Sequence, residues 1–193
     1  VRSYVHYYMS SASTWSKENT KRAFRITNDQ LVFCNKPRTD VLFDPKLREG
    51  KNAIVNKLKS GRKAVVYMPT QRSLGKVKMP MDELLDLPAI QAICEQNNCV
   101  FLIKKHFYHR NEVEHLERYP NIFDITSEDI DPETLTYQAD VMISDYSASY
   151  IDFLLLDRPI IFYAYDLEDF LKNERDMYLK FEDIQAGYKP QTK

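Results

Sequence analysis

From about residue 62 onward, short β-branched or aromatic runs alternate with stretches of helical periodicity. This alternation constrains the fold more than any other feature, because it is the pattern of a parallel sheet wrapped by helices. Five strands are predicted: Lys63–Met68, Cys99–Lys104, Asn121–Ile125, Asp140–Ser144 and Pro159–Tyr163. Between them, Ala89, Ile90, Ile93 and Cys94 recur at helical spacing over Pro88–Asn97, and Glu112–Tyr119 offers a shorter helix. Pro132 suits the first position of a helix Pro132–Ala139. Ser147–Leu156 is expected to pack Ile151, Leu154 and Leu155 against the sheet, and a last helix runs near Leu167–Glu174. The first 60 residues read differently, with a helix within Ser16–Ile26, a strand Gln30–Cys34, a turn-rich Asn35–Pro45 and a helix Leu47–Lys59. Residues 1–60 are therefore expected to be the end of a preceding domain and a linker. Ser60-Gly61 marks the boundary to an α/β domain over residues 61–193.

Composition narrows the function classes. The 193 residues carry 27 Lys and Arg against 28 Asp and Glu, a balance that argues against nucleic-acid binding by bulk charge. Cys34, Cys94 and Cys99 make no metal-ligand spacing and leave an odd thiol, which reads as a reducing compartment. The longest apolar runs, such as Phe153–Leu156 and Pro159–Ala164, are far too short to cross a bilayer. No signal peptide opens the chain, so a cytoplasmic location is expected. With only 4 glycines, a glycine-rich phosphate loop is excluded.

In an open α/β sheet, ligands bind beyond the carboxyl ends of the strands, so the informative residues are those that follow each strand. Pro69-Thr70-Gln71-Arg72 follows the first predicted strand, Lys105-His106 the second, and Asp145-Tyr146-Ser147-Ala148-Ser149 the fourth, at a helix start. Helix-start amides with the hydroxyls of Ser147 and Ser149 suit a phosphate or diphosphate. The plainer reading is that Asp145 or Ser147 only caps the helix, and a carboxylate there suits capping or a ribose hydroxyl better than a bare anion. His106 can donate to a phosphate oxygen or protonate a leaving group, although a lone histidine is more often structural. His109 and His115, six residues apart, read as surface residues. Arg72 opens the long stretch Thr70–Asp86, which also holds Lys76 and Lys78; a loop of that length is often functional, but its lysines also read as merely solvated. The acidic stretch Asp124–Glu133 matches no calcium loop and is expected to face solvent. Tyr165 and Asp166 are candidates for touching a ligand.

The run SDYSASYIDFLLLDRPIIFYAYDLEDF from Ser144 to Phe170 resembles the CDP-glycerol glycerophosphotransferase family, which builds teichoic acids and related poly(alditol phosphate) polymers. Upstream segments agree in order. Asn35-Lys36-Pro37-Arg38-Thr39-Asp40 looks like the family's G-x-P-R-N-D turn, Tyr67-Met68-Pro69-Thr70-Gln71-Arg72 like its Y-x-P-T-x-R, and Ile103-Lys104-Lys105-His106 like the strand leading to its H-P pair. Departures are Asn35 for the family glycine, Gln71 for an aromatic, Phe107 for the proline and Ala148 for a second serine; the last removes one expected phosphate contact. Nothing here matches the family's N-terminal W-H-G-type motif, since His6 lacks that context. With Val1 as the first residue, this leads to the expectation of a fragment: the C-terminal donor domain of a two-domain GT-B enzyme, shortened at its own C-terminus and not necessarily active alone.

The resemblance implies a Rossmann-like α/β fold and transfer of glycerol phosphate, or a related alditol phosphate, from CDP-glycerol or another CDP-alditol to a hydroxyl of a lipid-linked glycan or growing polymer. CMP is released, and neither a cofactor nor a metal is called for. It assigns His106 a catalytic role at the diphosphate, and Ser147, Ser149, Arg72 and Thr70 to donor diphosphate binding. Asp145, Arg38 and Asp152 support or orient the nucleotide. Nucleic acid is not an expected partner, and peripheral association with the inner face of the cell membrane is expected through residues outside this chain. Two other readings stay open: a GT-B glycosyltransferase using a nucleotide sugar, and a non-catalytic nucleotide-binding or regulatory α/β domain.

Overall fold

The computed structural model describes residues 8–10, 13–49, 53–73, 76–112, 115–174, 176–177, 179–184 and 187–189. The chain divides into two compact units, Val1–Leu47 and Arg48–Lys193. In the first, β1 (Tyr8–Ser10) pairs in parallel with β2 (Leu31–Phe33). Helix α1 (Thr14–Phe24) starts where the Ser13 hydroxyl accepts from the Ser16 amide at 3.1 Å. The segment expected to be turn-rich holds a 3-10 helix, Pro37–Leu42, with Thr39, Val41 and Leu42 buried.

The second unit begins earlier than the Ser60-Gly61 boundary expected from sequence. Helix α2 (Ala53–Lys59) buries Val55 completely in the core of this unit, so it belongs here rather than to a linker. Five parallel strands follow: β3 (Lys63–Met68), β4 (Cys99–Ile103), β5 (Ile122–Asp124), β6 (Val141–Ser144) and β7 (Ile160–Phe162). Every predicted strand forms, and the sheet order is β5-β4-β3-β6-β7. The first strand thus lies at the centre, with the next two added on one side and the last two on the other. Such a doubly wound sheet has a topological switch point between β3 and β6, where its direction of growth reverses. Pleating divides β3 between two cores. Ala64, Val66 and Met68 join Val100, Leu102, Met142 and Phe162 on one face, while Tyr67 joins Phe101, Ile103 and Met81 on the other. Burial on both faces explains the nearly unbroken apolar runs of the central strands.

The helices are α3 (Met81–Leu84), α4 (Leu87–Gln96), α5 (Pro132–Gln138), α6 (Ser149–Phe153) and α7 (Leu167–Asn173). Asp86 caps α4 and Asp131 caps α5, each accepting from an amide three residues on, at 3.0 and 2.8 Å. Asp131 and Asp124 are therefore engaged in the fold rather than simply solvated, the latter accepting from the Thr126 amide at 2.8 Å. The helix expected over Glu112–Tyr119 is not found among its described residues. A turn closes there from the Tyr119 amide to the Leu116 carbonyl at 2.8 Å, and Pro120 disfavours a helical Tyr119.

Helix α6 also departs from expectation. It begins at Ser149, not Ser147, and tightens after five residues into a 3-10 turn, Leu154–Leu156. The residues that meet the core are Tyr150, Phe153 and Leu156, a spacing of three that suits a 3-10 winding. Ile151, Leu154 and Leu155 instead stay 46, 44 and 49% exposed. The three cysteines are free thiols, and burial, then neighbouring Cys99, pushes Cys94 up to about 12. Replacing Phe153 by Ala should therefore cost about 3–5 kcal/mol in urea denaturation, whereas Leu154→Ala should cost under about 1 kcal/mol. Equal losses would show that the buried and exposed faces of this helix have been misassigned.

Candidate functional site

Because all five strands are parallel, the segments after β3, β4 and β6 emerge at one edge of the sheet. The residues that differ most from ordinary loop composition gather there. Asp145, directly after β6, is completely buried and organises the edge. It accepts from the Thr70 amide at 2.9 and 3.0 Å, the Thr70 hydroxyl at 2.7 Å and the Arg72 Nη2 at 3.1 Å. It also accepts from the amides of Tyr146 at 2.6 Å and Ser147 at 3.2 Å. One carboxylate therefore ties the loop after β3 to the loop after β6 across the switch point. It occupies two amides that the sequence reading offered to a phosphate.

Arg72 is buried as well, and four of its five N–H groups are engaged. Its Nε donates to Asp166 at 2.7 Å, its Nη2 to Asp166 at 2.9 Å and to Asp145, and its Nη1 to the Thr70 carbonyl. Burial works against the charge, but the bonds to Asp166 and the charges of Asp145 and Asp166 outweigh it and hold the guanidinium above its ordinary pKa. The cation also lies 5.3, 5.9 and 5.1 Å from the ring centres of Tyr146, Tyr165 and Phe170. Tyr146 stacks on Phe170 at 4.1 Å and donates its hydroxyl to Asp166 at 3.0 Å. Burial, then Asp166, raises the Tyr146 phenol well above its usual value, so it stays protonated. The same loop is held at its far end by Glu174, which accepts from the Ser73 amide at 2.8 Å and hydroxyl at 2.7 Å. Ser73 stands at φ +47°, and these bonds fix it there.

His106 and Ser147 share this edge. They follow β4 and β6, which flank β3 on either side, so two strand spacings, about 10 Å, separate their strands. The His106 ring is exposed and lies 4.4 Å from the Phe107 ring and 4.7 Å from the Tyr108 ring. Its Nδ1 accepts from the Tyr108 amide at 3.4 Å, which favours the tautomer carrying the proton on Nε2. Partial burial, then the proximity of His109, lowers its pKa below the ordinary 6.5, so the ring is neutral at pH 7 and offers Nε2–H as a donor. The hydroxyls of Ser147 and Ser149 lie 2.9 Å apart, so one donates to the other.

The structure thus brings His106, Thr70, Arg72, Asp145, Ser147 and Ser149 to one edge. Thr70 and Arg72 point their polar groups at Asp145 rather than outward. Asp152 is buried in the first turn of α6, and Arg38 is exposed within the 3-10 helix of the first unit. His109, expected at the surface, is instead completely buried with Nδ1 2.8 Å from Glu112 Oε1, while His115 is exposed. Sequence reasoning missed the roles of Asp166, Tyr146 and Glu174. Asp166 follows the last strand and was singled out, but its pairing with a residue 94 positions away left no local signal.

In doubly wound α/β domains ligands bind at the switch point, and in this one that edge carries a polar clamp and donor-bearing side chains. Comparison with known proteins gives its lineage. The chain belongs to the CDP-Glycerol:Poly(glycerophosphate) glycerophosphotransferase family, whose model matches residues 1–192. It is 31% identical over 191 residues to the teichoic acid ribitol-phosphate polymerase TarL of Staphylococcus aureus (strain NCTC 8325 / PS 47), covering 96% of this chain and 33% of that protein. It is 27% identical over 186 residues to a teichoic acid poly(glycerol phosphate) polymerase of Bacillus spizizenii (strain ATCC 23059 / NRRL B-14472 / W23), covering 93% and 46%. The chain therefore spans a third to a half of the length of these relatives. Among solved structures it resembles a variant of the wall teichoic acid polymerase TagF with TM-score 0.75 and 23% identity, covering 95% of this chain and 45% of that one. A TagF variant soaked with CDPG matches with TM-score 0.73 at the same identity and coverage. These structures share the GT-B-like α/β fold that the sequence led us to expect.

Two outcomes follow from the clamp and the imidazole. Asp145→Asn should lower stability by about 3 kcal/mol, since it removes one of the two carboxylates that compensate buried Arg72; a loss under about 1 kcal/mol would show that the clamp does not hold the loops. In NMR titration the His106 ring should protonate with a midpoint below 6.5, and a midpoint above that value would contradict the placement of the ring.

Proposed function

We propose that this chain is the donor-binding part of a transferase that moves an alditol phosphate from a CDP-alditol to a hydroxyl acceptor. The juxtaposition that carries the reading is the Asp145 clamp at the switch point, with His106 on one side and Ser147 on the other. Family membership supplies the substrate class. The relatives include polymerases named for ribitol phosphate and for glycerol phosphate, so CDP-ribitol and CDP-glycerol are both candidate donors.

In the proposed reaction an acceptor hydroxyl attacks the β-phosphorus of the donor, the bond from that phosphorus to the bridging oxygen breaks, and CMP departs with the bridging oxygen. The new phosphodiester joins the alditol phosphate to the acceptor, and the hydroxyl proton passes to a base outside the residues gathered at this edge. Phosphoryl transfer is catalysed chiefly by positioning and by stabilising charge. His106 Nε2–H donates to the diphosphate, where negative charge grows on the leaving oxygen. The Ser147 and Ser149 hydroxyls hold phosphate oxygens, and Thr70 and Arg72 act by fixing the clamp, with the fifth N–H of Arg72 as a further donor. Asp145 orients its neighbours and is too heavily engaged to serve as base. Asp152 is proposed to support the nucleotide.

Formal charge refines this picture. Arg72 with Asp145 and Asp166 sums to one negative charge, so the group does not neutralise a diphosphate by itself. Further cationic groups are needed from elsewhere in the polypeptide. The acceptor is proposed to be a lipid-linked glycan or growing teichoic acid or capsule-type polymer at the cytoplasmic face of the membrane. Among the described residues no helix is long and apolar enough to cross a membrane.

Thermal melting with CDP-glycerol, CDP-ribitol, CMP and UDP-glucose tests the reading. At a hundredfold excess over Kd a ligand adds about 2.7 kcal/mol, or about 5–10 °C for a domain of this size. Cytidine nucleotides should give that shift and UDP-glucose none. A preference for the uridine nucleotide would favour a sugar-transferring enzyme, and indifference to all four a non-catalytic domain. His106→Ala should weaken CDP-alditol binding about tenfold while leaving the ligand-free melting temperature nearly unchanged.

A further inference from the structure

We propose that Glu112 is the positioning residue of His106: one carboxylate grips the residue before the imidazole and the third residue after it, and so fixes where Nε2–H points. This deepens the donor-site reading and rests on it.

The His106 side chain has little to hold it, since the ring is exposed and, among the described residues, meets a long bond from the Tyr108 amide and two neighbouring rings. Its place is set by the backbone of the turn that bears it, and that turn is anchored on both flanks. Before it, the Lys105 side chain is completely buried and donates to Glu112 Oε2 at 3.0 Å. The Lys105 amide donates to the Thr126 hydroxyl at 3.0 Å, and Asp124 stands 3.7 Å from its ammonium. After it, the completely buried His109 lies 2.8 Å from the other Glu112 oxygen through Nδ1. The His109 amide donates to the His106 carbonyl at 2.8 Å, and the Glu112 amide to the His109 carbonyl at 3.0 Å, which closes the turn. The Met79 amide reaches Glu112 Oε2 at 3.4 Å, adding a fixed point from the loop after β3.

This cluster is a poor device for stability alone. A buried ion pair is often matched or bettered by apolar side chains of similar volume, because its attraction has to offset the loss of hydration of both charges. Nε2 of buried His109 has, moreover, no hydrogen-bond partner among the described residues, and a partly satisfied buried network is costly. What the cluster does provide is orientation, in the way outer partners fix the residues that meet a ligand. A misplacement of 1 Å at a group that meets reacting atoms can cost about a hundredfold in rate.

A double-mutant cycle on CDP-glycerol affinity, measured by calorimetry, separates positioning from bulk stability. Glu112→Gln should weaken binding about tenfold in the wild-type background and by less than twofold in the His106→Ala background, because Glu112 acts through the imidazole. Equal weakening in both backgrounds, or none in the first, overturns the inference. If Glu112→Gln does not fold, the pair Lys105→Met with Glu112→Leu takes its place: it should keep the melting temperature yet bind as weakly as His106→Ala, and wild-type affinity would overturn the inference. A wild-type chain with no affinity for CDP-glycerol sinks the donor reading itself, a result distinct from a failed cycle.

Discussion

The buried Asp145 carboxylate is the interaction on which the rest of the site depends. Parallel strands from one chain leave their carboxyl ends side by side, but nothing in the sheet itself dictates how the loops beyond them lie. Asp145 supplies that instruction by accepting from both sides of the switch point, from Thr70 and Arg72 after β3 and from Tyr146 and Ser147 after β6. A buried carboxylate is tolerable only with such a full set of donors. Asp166 extends the clamp to the segment after β7 through Arg72 and Tyr146. Three loops from three strands thus share one hydrogen-bonded core.

That arrangement divides labour between charge and orientation. Arg72 is committed to carboxylates and aromatic rings and serves the framework. The other donors gathered at this edge, the hydroxyls of the Ser147 and Ser149 pair and the Nε2–H of His106, are neutral, and they are the groups proposed to meet the ligand. Such donors, held by a rigid scaffold, can stabilise developing charge without rearranging at the moment of reaction. The His106 turn is fixed separately, by Glu112 through Lys105 and His109, so the two halves of the edge are positioned by two different carboxylates.

The parallel sheet was legible because strands buried on both faces leave continuous apolar runs, and all five stand where β-branched and aromatic residues predict. The start of α5 was legible in Pro132, which suits a first helical position, whereas the capping carboxylates Asp86 and Asp131 were not singled out. Contacts between distant segments were not legible. Arg72 reads as a free cation in its own loop, and only the fold brings Asp145 and Asp166, 73 and 94 residues away, against it. His109 reads as a surface residue for the same reason: its burial depends on how the turn closes around Glu112. Over Glu112–Tyr119 the apolar spacing resembled a helix, but Pro120 and a tight turn prevailed. In α6 a shift from α to 3-10 winding moved the buried face from Ile151, Leu154 and Leu155 to Tyr150, Phe153 and Leu156. Periodicity counts residues per turn, and it fails where the winding itself changes.

The most direct measurement is a structure of this chain with CDP bound. The account predicts the diphosphate over the crevice between β3 and β6, with the Ser147 hydroxyl and His106 Nε2 each about 3 Å from phosphate oxygens and the Asp145 clamp unbroken. A nucleotide seated elsewhere, or one that displaces Thr70 and Arg72 from Asp145 to reach its phosphates, would contradict it.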